Sequence, residues 1–194
     1  LDLMNDGLQT TKQLEDMVYA SAQRSRAAFV DTAQTVAKLG ILAPKAFKNS
    51  KEIVSFAEQM NKQFVIGGAS IQEQTAGMYQ LTQAMASGRL QGDEFRSIIE
   101  NAPMLAQAIA TFTGKSMGEL RKMSAEGEIT ADIIKNAMFA AADKTNKKFE
   151  QMPVTWAQVW INIQNRAIVA FDPILQKISQ LTKNQGFQTF VNAF

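Results

Sequence analysis

The sequence predicts an all-α fold, a multi-helix bundle of helical hairpins with longer flanking helices. Three observations predict it. Apolar residues recur at spacings of three and four along most of the 194-residue chain, the period of a helix with one buried face. β-branched alternation over four or more residues is nearly absent, which removes the strand signal. The 11 glycines and 4 prolines mostly fall between periodic segments, where they act as stops.

The first segment spans about residues 3–39. Leu8, Leu14, Val18, Ala22, Ala28 and Phe29 fall near one stripe. Gly40 is expected to end it, with Pro44 close behind. The small, polar stretch Ser21–Ser25 leaves room for a break. The next helix starts after Asn49 or Ser50, carries Ile53, Phe56, Ala57, Met60 and Phe64, and stops at Gly67-Gly68. Ser70 with Glu73 forms a capping box, in which side chain and backbone exchange hydrogen bonds across three residues. The helix that follows should bury Met78, Leu81, Ala84 and Met85 and end at Gly88.

A short helix from about Asp93 places Phe95, Ile98 and Ile99 on one face. Pro103 suits the first turn of the next helix, Met104 to Phe112, which Gly114 caps. Ser116 with Glu119 makes a second capping box for a helix to about Ser124, broken by Gly127. Thr130 caps one longer helix bearing Ile133, Ile134, Ala137, Met138, Ala141 and Phe149, closed by Pro153. Thr155 with Gln158 makes a third box. The last segment sets Trp156, Trp160, Ile163, Ala167, Ala170, Ile174, Ile178 and Leu181 in a wide seam, close to a heptad. Asp172-Pro173 lies inside it: either one helix kinks there, or it ends and Asp172 caps another. The implied divisions are N-terminal helices over 1–49, a helical-hairpin core over 50–152 and a long helical segment over 153–194.

One internal echo stands out. Leu81, Gly88, Leu90, Asp93 and Phe95 are matched 39 residues later by Leu120, Gly127, Ile129, Asp132 and Ile134. Each set reads helix, glycine stop, apolar residue, acidic first turn, helix. It is either a true repeat or one corner solved twice, since two copies fall short of a repeat array.

Composition excludes much chemistry. There is no cysteine, so no disulfide, thiolate nucleophile or thiolate zinc site. There is no histidine, so no Ser-His-Asp triad and no HExxH zinc site. Twenty basic against eighteen acidic residues give a net charge of +2, too little to attract nucleic acid or an anionic membrane at long range. No run approaches the ~18 apolar residues of a membrane span. The opening Leu1-Asp2-Leu3-Met4 carries no signal-peptide pattern. With no initiator Met, an excerpt of a longer chain is expected, with processing as the alternative.

The remaining motifs read as structure. Gly114-Lys115-Ser116 resembles the tail of a phosphate loop, but Ile109 stands where that loop needs glycine. Gly67-Gly68-Ala69-Ser70 precedes a helix, yet Ser70 and Glu73 already occupy its free amides. The carboxylates Glu94, Glu100, Glu119, Glu126 and Glu128 suit solvated helix ends better than a hydrolytic pair. No DxDxDG loop offers calcium ligands. Lys144, Lys147 and Lys148 form a solvated basic face. The 104–112 helix lacks the Arg or Lys a DNA-reading helix needs. No catalytic, cofactor-binding or metal-ligating residue is assigned. The seam of Trp156, Trp160, Ile163, Ala167 and Ile174 is the candidate partner-binding surface, because its width asks for a partner helix.

Residues 68–180 resemble the tail-length tape measure proteins of long-tailed phages and prophages. Four blocks carry the resemblance in order: LTQAMASGRLQGDEFRSI at 81–98, ENAPMLAQAIA at 100–110, GELRKMSAEGEIT at 118–130 and KFEQMPVTW at 148–156. The first fifty residues add little to it. The family implies very long helical chains that fill the tail tube while tube protein polymerises around them, so that chain length sets tail length. A helical ruler adds a fixed ~1.5 Å per residue. This stretch resembles the more globular domain such proteins carry toward one end. The resemblance implies a structural, non-enzymatic role in the virion tail, reached through assembly in the host cytoplasm. It implies self-association or packing on the tail tube, an assembly chaperone or the tail tip, with no nucleic acid, membrane or cofactor. The alternatives are a carboxylate-dependent cell-wall hydrolase, which some family members carry as an added domain, and a helical adaptor unrelated to tails.

Overall fold

A computed structural model describes the backbone of residues 1–183 and, within it, the side chains of all but residues 71, 172 and 174–183. Among the described residues it is all-α, with ten α-helices and one short 3-10 turn, Asp2–Met4. The helices are α1 (Thr11–Arg24), α2 (Phe29–Leu42), α3 (Ser50–Ile66), α4 (Ile71–Ser87), α5 (Gly92–Asn101), α6 (Pro103–Thr113), α7 (Met117–Ala125), α8 (Ala131–Ala140), α9 (Ala142–Glu150) and α10 (Trp156–Lys183).

Caps set most boundaries. Asn49 accepts the Glu52 amide at the start of α3. Ser70 and Glu73 close a capping box on α4, Ser116 and Glu119 on α7. Thr155 and Gln158 close one on α10, through Gln158 N to Thr155 Oγ1 at 3.2 Å and Thr155 N to Gln158 Oε1 at 3.2 Å. Pro103 occupies the first position of α6. Thr10 and Gln13 form a further box on α1 that the sequence reading did not single out.

α3 is the central rod. α1, α2, α6, α8 and α9 all pack on it. One contiguous apolar core runs from Met4, Leu14 and Val18 through Phe56, Met60 and Phe64 to Leu105, Ile109, Ile134 and Met138. α3 is therefore buried on its polar side too: Glu58, Gln59, Asn61, Lys62 and Gln63 are all buried. Glu58 survives there as an ion-paired group, bound by Arg24 Nη2 at 2.7 Å and Lys62 Nζ at 2.8 Å. Burial pushes its carboxyl up, but hydrogen bonds from Arg24 and Lys62 outweigh that and hold it below the usual carboxylate range.

The echo is a spatial pair. Gly88 and Gly127 both take left-handed backbone, φ +82° and +71°, and turn the chain between helices. The two turns meet in an antiparallel bridge between Arg89 and Thr130, the only extended pairing among the described residues. Leu90 N donates to Ile129 O and Ala131 N to Gly88 O, each at 2.8 Å. Leu90, Ile129, Leu81, Leu120 and Ile134 are wholly buried, and Phe95 nearly so. The matched positions thus face one another across the junction of α4–α5 with α7–α8.

Two expectations are corrected, and two points left open are decided. Gly40 does not end α2, which runs on to Leu42. It is instead a contact point, since a Cβ there would stand 2.6 Å from Met4 Cβ. The expected helix after Thr130 is two helices, interrupted at Ala141. α8 packs on α6 as well as on α3, while α9 packs on α3, so the two halves have partly different neighbours. The 3–39 segment breaks fully between α1 and α2, just after Ser21–Ser25. At Pro173 α10 continues as one helix, so Asp172 caps no second one.

Candidate functional site

α10 has 28 residues, a rod of about 42 Å. At 3.6 residues per turn its two stripes lie on opposite sides. Trp156, Trp160, Ile163 and Ala167 form one side, and Gln158, Asn162 and Asn165 form the other. The polar side is the one docked on the body.

Asn165 is 2% exposed. Its Oδ1 accepts the Phe29 amide at 2.8 Å and its Nδ2 donates to Ala27 O at 2.9 Å. Asn162 Nδ2 donates to Gln23 Oε1 at 2.9 Å. Arg26 closes the far side of the joint. Its Nη1 donates to Met152 O at 3.1 Å and to Pro153 O at 3.3 Å, and its guanidinium stacks over Phe149 at 4.5 Å. Lys62 approaches the same ring at 5.7 Å. Between Gln23, Arg26 and α10 an open groove of about 450 Å³ remains, edged by Val154, Val159 and Arg166.

The apolar side faces outward. Trp156 is 88% exposed, Trp160 61% and Ile163 51%. Ala167 is half-buried. The side chain of Ile174, like those of Ile178 and Leu181, lies outside the described residues. Val159 and Phe171 extend the exposed band. Past Asn165 even the docking side is bare, with Ile168 and Val169 exposed. Helix α10 has by then run beyond the body. An amphipathic helix ordinarily buries its apolar stripe. This one docks the reverse way, and a contiguous apolar patch on a protein surface marks an interaction site.

What sequence reasoning missed is the orientation. The seam was legible from spacing, and so was the polar stripe behind it. Which of them meets the body depends on Gln23, Arg26, Ala27 and Phe29, more than 120 residues away. The pairing of buried Glu58 and Lys62 with the exposed Arg24 was missed as well, because nothing local marks α3 as surrounded.

The carboxylates raised as a hydrolytic alternative have structural partners. Glu94 accepts the Gln91 amide at 2.9 Å and Glu119 the Ser116 amide at 2.8 Å. Hydrogen bonds from the Ser116 backbone and side chain hold Glu119 below the usual range, opposite to what a general acid needs. Glu100 pairs with Arg96, and Glu126 and Glu128 are exposed at the Gly127 turn. Lys115 pairs with Glu119. Lys144, Lys147 and Lys148 are exposed on α9. Among the described residues no group of three acidic side chains is placed to hold a metal ion, and no helix is long and apolar enough to cross a membrane.

Comparison with known proteins gives one match. Residues 1–176 fit the family described as tape measure protein. The match takes in the first fifty residues and the described part of the outward stripe. No curated protein and no solved structure matches the chain.

Proposed function

The chain belongs to the tape measure protein family, and on that premise we propose that it is a structural part of the tail that works by helix–helix packing during tail assembly and the setting of tail length. The hairpin core over 50–152 is the platform, residues 1–49 brace it, and α10 is the arm presented to partners. The observation that carries the reading is the reversed docking of α10. A helix held by its polar stripe leaves Trp156, Trp160 and Ile163 for another surface. The natural partners are other tail proteins or further copies of the chain, met in the host cytoplasm before the tail is complete. Among the described residues Glu94 and Glu119 are taken up by helix caps and Glu128 is a solvated turn residue, which supports reading the role as non-enzymatic.

Sedimentation velocity over a concentration series tests this. The chain should self-associate, and Trp160→Asp should weaken that association at least tenfold with an unchanged melting temperature. A chain that is monomeric with and without Trp160→Asp, at equal stability, would sink the seam as a self-association surface.

A further inference from the structure

The break between α1 and α2 follows the small, polar stretch Ser21–Ser25 but lacks the glycine usual at such a turn. Residues 25–28 are Ser-Arg-Ala-Ala, with neither glycine nor proline. Arg26 nevertheless sits at φ +55°, the one left-handed non-glycine residue among the described residues. A side chain in that region is strained relative to right-handed backbone. Local hydrogen bonds close the turn, with Ala27 N donating to Ala22 O at 2.9 Å, Arg26 N to Gln23 O at 3.2 Å and Ser25 Oγ to Ser21 O at 2.8 Å. The elbow is also held from outside: Asn165 binds Ala27 O and Phe29 N, while Met152 O, Pro153 O and the Phe149 ring hold Arg26. The outside restraints come from the α9–α10 end of the chain.

Straightening the elbow in a single copy is unfavourable. α1 would withdraw Leu14, Val18 and Ala22, each wholly buried, and burial of that size outweighs the strain of one residue. A second copy changes the comparison. Two copies that straighten together can rebury the same side chains against each other's α2 and α3. Their native contacts are regained and the strained residue is relieved, which is the condition under which elements are exchanged between protomers.

We propose that residues 25–28 are a hinge for exchange of residues 1–24 between two copies of this chain, with α1 and α2 then running as one helix over 11–42 and Asn165 acting as the brake. The exchange uses the inner face of α1 and not the outward stripe of α10, so it is independent of the packing role proposed above.

The absence of cysteine allows clean spin labelling of Lys12→Cys with Lys38→Cys, both exposed positions. In the hairpin these sites lie on neighbouring helices. In one continuous helix, 26 residues separate them by about 39 Å. All samples carry Trp160→Asp to silence α10, are refolded at high concentration, and are diluted with unlabelled chain to read intramolecular distances. Adding Asn165→Ala should raise the dimer fraction severalfold and bring in the ~39 Å distance. Adding Ala27→Gly, which weakens a continuous helix, should lower it severalfold. A folded Asn165→Ala chain that is monomeric, or dimeric with only the short distance, overturns the proposal. If circular dichroism shows that Asn165→Ala does not fold, the pair with and without Ala27→Gly decides. Failure of both to give a long-distance dimer overturns it equally.

Discussion

Asn165 caps a helix that it does not belong to. Its Oδ1 stands 2.8 Å from the amide of Phe29, the first residue of α2, where the local N-cap Ala28 has no side chain to offer. A free helix N-terminus normally finds its acceptor within three residues. Here it comes from the docked side of α10, so one hydrogen bond joins the start of α2 to the placement of the arm.

Asn165→Ala should therefore destabilise the fold by about 1–2 kcal/mol, the range for loss of a cap. It also leaves Ala27 O without its donor in a part-buried site. For a chain of this size that is roughly 2–8 °C in melting temperature by calorimetry. Asn165→Asp keeps the acceptor and should cost less. Equal melting temperatures for all three would show that α10 does not depend on this contact.

Stability should fall in acid through Glu58. Its folded pKa is depressed below the ordinary value of 4.5, so its contribution is fully present above that value. It is lost as pH falls through the folded pKa. Denaturant midpoints measured from pH 7 down to pH 3 should drop more steeply for the native chain than for Glu58→Gln. Parallel curves would mean that the Arg24 and Lys62 pairs contribute nothing to folding.

Two helical glycines should respond in opposite directions. A Cβ at Gly77 in α4 would lie 2.6 Å from Phe64 Cε1, and Phe64 is fully packed. Gly77→Ala should cost about 1–3 kcal/mol, the usual penalty of overpacking, despite the better helix propensity of alanine. At Gly118 in α7 the nearest foreign atom is Ser116 Oγ at 3.9 Å. Gly118→Ala should stabilise by several tenths of a kcal/mol. Urea melts of both variants check the pair.

Cell-wall suspensions should not clear on addition of the chain. Glu94 and Glu119 are committed to caps, and Glu128 is a solvated turn residue. Turbidity that falls, and stops falling in one of Glu94→Gln, Glu119→Gln or Glu128→Gln, would restore the hydrolase reading.

The sequence alone determined where most helices begin and end, because those signals act within a few residues. Ser70 with Glu73, Ser116 with Glu119, Thr155 with Gln158, Pro103 and Gly88 each appear at the boundary they mark. It also determined that α10 has an apolar and a polar side, since spacing is enough for that. Where distant contacts help to stop a helix, the local signals were weak or misleading. Ala141 interrupts a rod whose first half packs on α6 as well as α3 and whose second half packs on α3. Gly40 looked like a stop and is a seat for Met4. Residues 25–28 turn after the Ser21–Ser25 stretch that the sequence left open to a break, closed by local hydrogen bonds and held in place by Asn165, Met152 and Pro153. Only the tertiary structure decided that Glu58 and Lys62 are enclosed and that Gly88 meets the Gly127 turn. It alone decided that α10 shows its tryptophans to the outside. Periodicity says that a helix has a face, whereas the direction of that face is fixed by partners far along the chain.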